Sequence, residues 1–303
     1  MQLSPRDVFL LSQCAISAAY QAGQIIVEHT QDQLDVQHKI AGDSVASQVV
    51  TAVDLLCQAR ILQVLGPTCE AYDLALLTEE TPDDRQRLDQ DFFWCIDPLD
   101  GTLPFIESTP GYAVSIALVS RAGHPHLGVV YDPVTSTLYH AIKGQGAYRN
   151  GVRWHLPTAS SGCELTFIAD RSFGQHALFP KVIEAMHSIA QHLGYAQVKR
   201  LMQGGAAMNA CWVLDNTPAC YFKLPKTHVG GGSLWDYAAT ACLFQEIGAV
   251  VSDVAGQPLA LNRADTTFMH QEGVLYASDE ALAACVKTLC AAVSSHDSVL
   301  FVV

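Results

Sequence analysis

The sequence predicts a mixed α/β chain folded as stacked layers of helix and sheet, and three observations predict it. An apolar stripe at helical spacing opens the chain, running through Val8, Leu11, Ala15, Ala18, Ala22, Ile25 and Ile26. Three short apolar segments, 113–120, 127–131 and 137–142, then follow one another across turns at Gly123 and Pro133, as an antiparallel meander does. Beyond residue 160, apolar strands and helices alternate, which suits further layers. With 303 residues, half of them apolar, the chain can build one large domain or two closely packed ones. No Pro/Gly/Ser-rich linker divides it, so the boundary is soft, between an N-terminal half at residues 1–157 and a C-terminal half at residues 158–303.

Ser4-Pro5 starts the first helix as a cap followed by proline in the first turn, and the stripe carries it to His29. Residues 34–40 alternate weakly, as an edge strand would. A second helix is expected over 50–65, closed by Gly66-Pro67. Residues 74–77 form a short buried strand that runs into Thr78-Glu79-Glu80, and the polar segment 81–91 reads as a solvated loop. Phe92 to Ile96 is a buried strand that Asp97-Pro98-Leu99-Asp100-Gly101 cuts off, with Thr102 placed to cap a short helix through Glu107. The glycine-punctuated turn 143–151 precedes no strong helix, which makes a dinucleotide site a poor reading. Strands follow at 165–169, 219–224, 249–252 and 274–277. Helices are expected at 179–193, 205–214 and 234–247, and Ser278-Asp279-Glu280 caps a last one to about Val293.

The net charge of −13 argues against a nucleic-acid polymer as partner, and an anionic small molecule would need bound cations to approach. No apolar run reaches the ~18 residues of a membrane span. The N-terminus lacks the pattern of a secretory signal. Ten single cysteines, none in a Cys-x-x-Cys pair, read as reduced residues of a cytoplasmic protein. The histidines show no zinc-ligand spacing.

Asp97, Asp100 and Thr102 crowd one strand end with free carbonyls nearby, the oxygen-rich set that hard divalent cations take. The stretch from Asp97 to Gly101 also makes an ordinary surface turn. An aspartate-nucleophile phosphatase would have its two carboxylates two residues apart, whereas here they stand three apart. Glu79 follows a buried strand, Asp236 opens an apolar helix where its charge suits the dipole, and Asp54 sits at the start of the second helix. Each alone reads equally as a cap or a solvated acid. If all five acids converge, an unscreened pair ~4 Å apart costs about 4 kcal/mol at an effective dielectric near 20, so the cluster needs cations or raised pKa values.

Thr78-Glu79-Glu80, Asp97-Pro-Leu-Asp100-Gly-Thr102 and Trp235-Asp236-Tyr-Ala-Ala resemble the three signatures of the inositol monophosphatase superfamily, in order, and Val50-Thr-Ala-Val-Asp54 resembles a fourth. The likeness runs from about residue 40 to 262. It implies a layered αβαβα sandwich and hydrolysis of a small phosphate monoester with two or three Mg2+ per site, inhibited by lithium, in a homodimer. By that resemblance Glu79, Asp97, the Leu99 carbonyl, Asp100 and Asp236 hold metal. Asp54 and Thr102, with Glu79 beside them, ready the attacking water, and the amides of Gly101 and Thr102 bind phosphate. Gly205, Ala206 and Lys226 are candidates for the substrate pocket. The inositol-specific branch carries a glutamate seven residues before the Trp-Asp aspartate, where this chain has Val229. The 3′(2′),5′-bisphosphate nucleotidase branch carries lysine where this chain has Leu103. A longer segment between Lys39 and Asp54 unsettles the place of Lys39. Val229 weakens the case for inositol itself, but the motif wording fits the broad family better than the nucleotidase branch. An inositol-type or sugar phosphate is therefore the expected substrate, adenosine 3′,5′-bisphosphate the alternative, and a non-catalytic metal- or phosphate-binding protein the reading of another class.

Overall fold

The computed structural model of the chain describes residues 3–29, 36–38, 49–157 and 162–294. Lys39 and most of the segment around it lie outside the described residues. Helix α1 (Pro5–His29) is followed by a two-stranded antiparallel pair, β1 (Val36–His38) and β2 (Val49–Thr51), and then by α2 (Ala52–Tyr72). A seven-stranded sheet follows, made of β3 (Ala75–Thr78), β4 (Phe92–Asp100), β5 (Ala113–Ser120), β6 (Pro125–Asp132), β7 (Thr137–Ile142), β8 (Gly146–Arg149) and β9 (Val152–Arg153) in sequence order. The short helix α3 (Thr102–Ile106) interrupts it after β4. Within this sheet only β3 and β4 pair in parallel; the expected meander supplies the rest.

The second half runs β10 (Leu165–Ile168), α4 (Phe179–His192), β11 (Val198–Leu201), α5 (Ala206–Asp215), β12 (Ala219–Lys223), α6 (Leu234–Ile247), β13 (Val250–Ser252), β14 (Val274–Ala277) and α7 (Glu280–Ser294). Its five strands are ordered β11-β10-β12-β14-β13. Strand alternation builds the layers. On β4, Trp94 and Ile96 pack under α1 and α2, while Phe93 and Cys95 face α5 and α6. Those two helices are also covered by Tyr221 and Tyr276 of the smaller sheet, whose other face packs Phe167, Phe222 and Leu275 against α4 and α7. The order is helix, sheet, helix, sheet, helix, the αβαβα sandwich that the resemblance implies.

Four local expectations are corrected. Helix α2 does not stop at Gly66-Pro67 but continues to Tyr72 with Pro67 inside it. The hydrogen bond that Pro67 forgoes falls on the solvent side, where Gln63 and Pro67 are exposed and water can take the carbonyl. Next to it Thr68 bonds the Leu65 carbonyl at 2.6 Å and accepts from the buried Trp94 indole at 2.9 Å, which ties the turn to the core. The segment 81–91 is no plain solvated loop, because Arg87 is buried at 2% exposure, held by Asp83, Asn262 and the Arg263 carbonyl. Strand β4 does not end at Asp97. It runs on to Asp100 through an irregularity between the two aspartates, where Pro98 is tolerated. Thr102 does not cap α3; Gly101 holds that position in a left-handed conformation (φ 85°), and Glu107 instead pairs with Arg171. Among the described residues no helix is long and apolar enough to cross a membrane.

Candidate active site

The site forms where β3 ends beside β4 and β4 runs on past it. Their parallel register pairs Thr78 with Ile96, and the Glu79 amide donates to the Ile96 carbonyl at 3.2 Å, so the next step along each strand sets Glu79 beside Asp97. The irregularity that follows turns Asp100 back into the ladder opposite Ala113, so both aspartates emerge at one sheet edge. Asp97 Oδ1 accepts from the Leu99 amide at 3.0 Å, and Thr102 Oγ1 lies 3.5 Å from the Leu99 carbonyl. Asp100 is held from the second half, where the first amides of α5, Ala206 and Ala207, donate to its two oxygens at 3.1 and 2.7 Å. Asp236 is the third residue of α6 in a capping box, where the Ser233 amide donates to its carboxylate. The cap and the cluster are therefore one residue with two duties. Ser115 Oγ on β5 donates to the Trp235 carbonyl at 3.0 Å and anchors that turn to the larger sheet.

Carboxylate oxygens of Asp97, Asp100 and Asp236 all lie within 4.8 Å of one another. Burial, then the charges of Glu79, Asp100, Asp236 and Asp54, pushes Asp97 well above the usual carboxylate range. Burial and the Asp236 charge push Asp100 up as well, opposed by the Ala207 amide, Lys223 and the Ala206 amide. Asp236 is raised by burial, against the pull of Lys223 and the Ser233 amide. Converging, buried, all-oxygen donors that repel one another are the donor chemistry a hard divalent cation fits. Glu79, Asp54, Asp100 and Asp236 each lie within electrostatic reach of Asp97, and Asp54 is itself buried at 1% on the first turn of α2; the set of oxygens within 4.8 Å of one another comprises Asp97, Asp100 and Asp236 and does not include Glu79 or Asp54.

Of the pocket candidates, Gly205 and Ala206 border Asp100 directly. Lys226 lines a small recess with Lys223, Gly231, Tyr237 and His270. Val229 is 54% exposed on the glycine loop and does not mark a buried contact. Sequence reasoning missed Asp170, Lys223 and Gln58. Asp170 follows an apolar strand and Lys223 closes one, much the signal that singled out Glu79 and Asp97, and they form an ion pair at 2.8 Å. Gln58 carried no such signal. It lies one turn after Asp54, accepts from Thr78 Oγ1 at 2.5 Å and donates to Thr81 Oγ1 at 3.0 Å, so one amide brackets Glu79 and Glu80. Gln58→Ala leaves the buried Thr78 hydroxyl without its acceptor. It is expected to cost about 1–3 kcal/mol in denaturant unfolding.

Comparison with known proteins bears on this geometry. The model of the inositol monophosphatase family matches residues 10–295. The Nus factor SuhB of Escherichia coli is 32% identical over 244 residues, covering 80% of this chain and 84% of that protein. The extragenic suppressor protein SuhB of Bartonella henselae superposes with a TM-score of 0.70 at 21% identity, covering 93% of this chain and 98% of its own. An inositol monophosphatase from Anabaena does so with 0.67 at 22%, covering 93% and 96%. A match over nearly the whole length, on a fold whose strand ends gather the motif acids, makes this chain a member of the inositol monophosphatase family.

Proposed function

We propose that the protein is a magnesium-dependent phosphomonoesterase acting on a small phosphate ester of the inositol monophosphate or sugar phosphate type. The observation that carries this is the convergence of the Asp97, Asp100 and Asp236 oxygens within 4.8 Å at a buried strand edge. With Glu79 and the Leu99 carbonyl they would hold two or three Mg2+, which would supply Lewis-acid stabilisation of charge on the phosphoryl oxygens. Gly101 and Thr102 receive the phosphate with their amides. Asp54 and Thr102 orient the attacking water, and Asp54 accepts its proton. No side chain is needed as a nucleophile, so no residue is phosphorylated.

Parallel assays of inositol 1-phosphate and adenosine 3′,5′-bisphosphate with magnesium test the substrate. The expected result is higher kcat/KM for inositol 1-phosphate, and turnover of the bisphosphate alone would reverse the assignment. The similarity to proteins called Nus factors motivates one other reading, a non-catalytic binding protein on the same fold. Magnesium binding without turnover of any phosphate ester in a broad panel would favour it.

A further inference from the structure

One buried amide joins α2, which carries Asp54, to the turn that carries Glu79. Gln58 stands one turn after Asp54 on the same helix face, and both side chains are buried, at 8% and 1% exposure. The Gln58 side-chain carbonyl accepts from Thr78 Oγ1 at 2.5 Å, and its NH2 group donates to Thr81 Oγ1 at 3.0 Å. Thr78 closes β3 in the core, whereas Thr81 lies exposed beyond the turn formed by Glu79 and Glu80. A single planar group on a helix therefore grips both ends of the two-glutamate turn.

That grip falls where the sheet lends least support. β3 is an edge strand of the seven-stranded sheet, with β4 on one side only. The ladder to β4 fixes residues 75–78 and reaches as far as the Glu79 amide, bonded to the Ile96 carbonyl at 3.2 Å. Neighbouring strands lie about 4.8 Å apart, which sets the Glu79 backbone roughly that far from the Asp97 backbone. Past this point the chain turns off the sheet, and Gln58 holds its far end. A glutamate carboxylate sits three torsions from its backbone, so its place is only as well defined as the turn beneath it. On α2, residues four apart have their Cβ atoms about 5–6 Å from each other, so holding Gln58 also fixes Asp54. We propose that Gln58 is a positioning residue that sets Glu79 against Asp54, and so fixes the spacing between a metal ligand and the group that accepts the water's proton. The roles of Glu79 and Asp54 in this inference rest on the function proposed above. Gln58 acts through the two threonine hydroxyls.

The test is calorimetric titration of the metal-free protein with magnesium chloride at pH 8, at a temperature well below every variant's unfolding transition. Thr78→Val removes a hydroxyl at nearly constant volume, and Gln58→Met removes the amide. Each is expected to weaken Mg2+ binding about tenfold, the low end for groups that orient a metal ligand. Because both changes disable one device, the double variant should bind no more weakly than the weaker single variant. Thr78→Ser keeps the hydroxyl and should bind as the unmodified protein does. Ser12→Ala controls for stability alone. It deletes a buried hydroxyl that donates to the Phe9 carbonyl at 2.6 Å on α1, and Mg2+ binding should be unchanged. Should the buried substitutions not fold, Thr81→Val, at the exposed end, carries the test and should also weaken binding. Unchanged binding by Thr78→Val and Gln58→Met, or by Thr81→Val in their place, overturns the proposal. So do losses that multiply in the double variant, or that Thr78→Ser or Ser12→Ala reproduce. If the unmodified protein binds no Mg2+ at all, it is the metal-site reading that fails, and this inference with it.

Discussion

Asp97→Asn is expected to lower hydrolysis by about a thousandfold, to abolish stabilisation by magnesium, and to make the metal-free protein more stable at pH 8. The first two effects follow from the loss of a charged group from the proposed metal site. A unit-charge interaction at ~4 Å is worth about 4 kcal/mol at an effective dielectric near 20, and each ~1.4 kcal/mol is tenfold in rate. The third follows from proton linkage. Burial and four neighbouring carboxylates hold the Asp97 proton in the folded, metal-free protein to a pH at which the unfolded chain has released it. The stability that this proton contributes is fully present below the unfolded pKa and is lost as pH rises through the folded one. Asparagine has no proton to lose, so its advantage over aspartate should be largest at pH 8 and vanish by about pH 4. By the proposed function, magnesium reverses the order by replacing protons with a cation, so in saturating metal the unmodified protein should be the more stable of the two. Thermal unfolding at the two pH values, with and without metal, reads all of this. A variant that responds to magnesium as the unmodified protein does would remove Asp97 from the site.

Most of the layering was legible because it is written in periodicity. The stripe from Val8 to Ile26 predicted α1 to its last residue, and the short apolar segments from Ala113 to Ile142 predicted the meander. What the residues hid was set by contacts distant along the chain. Proline is a stop signal read locally, yet Pro67 stays helical because the Gln63 carbonyl that it leaves without a donor faces water and Thr68 is locked to Trp94. Arg87 looked solvated because its partners lie at 262 and 263, far along the chain. At the site, motif spacing marked Glu79, Asp97, Asp100 and Asp236, and the register of β3 and β4 accounts for why the first two meet. Lys223 and Asp170 escaped notice because their meaning lies in a tertiary ion pair, although Lys223 closes an apolar strand and Asp170 follows one. Gly205 and Ala206 read as candidates for the pocket wall. The structure shows another duty, which is to let α5 reach Asp100.

That duty makes Gly205→Ala the second substitution of large effect, expected to cut activity about a hundredfold without removing any charge from the site. The backbone at Gly205, with φ −66° and ψ 172°, is one that any residue adopts, so glycine is required there for space and not for conformation. A Cβ built at this position would lie 2.6 Å from Asp100 Oδ2 and 2.6 Å from the Gly101 amide nitrogen. Neither neighbour can swing aside, because Asp100 is held by two amides of α5 and Gly101 is backbone at the turn assigned to phosphate. The added methyl group must therefore push α5 away from β4, lengthening the bonds that aim Asp100. Overpacking of this kind costs about 1–3 kcal/mol in stability, and a shift near 1 Å at a reacting centre costs on the order of a hundredfold in rate. Gly174→Ala is the matched control, because its Cβ would meet only the tip of Met202 at 3.5 Å, and both stability and activity should be nearly unchanged. The decisive readout is the pair of kcat and magnesium half-saturation for Gly205→Ala at a temperature well below its unfolding transition. If both match the unmodified protein, Asp100 does not need the α5 clamp, and the aim of that carboxylate comes from β4 alone.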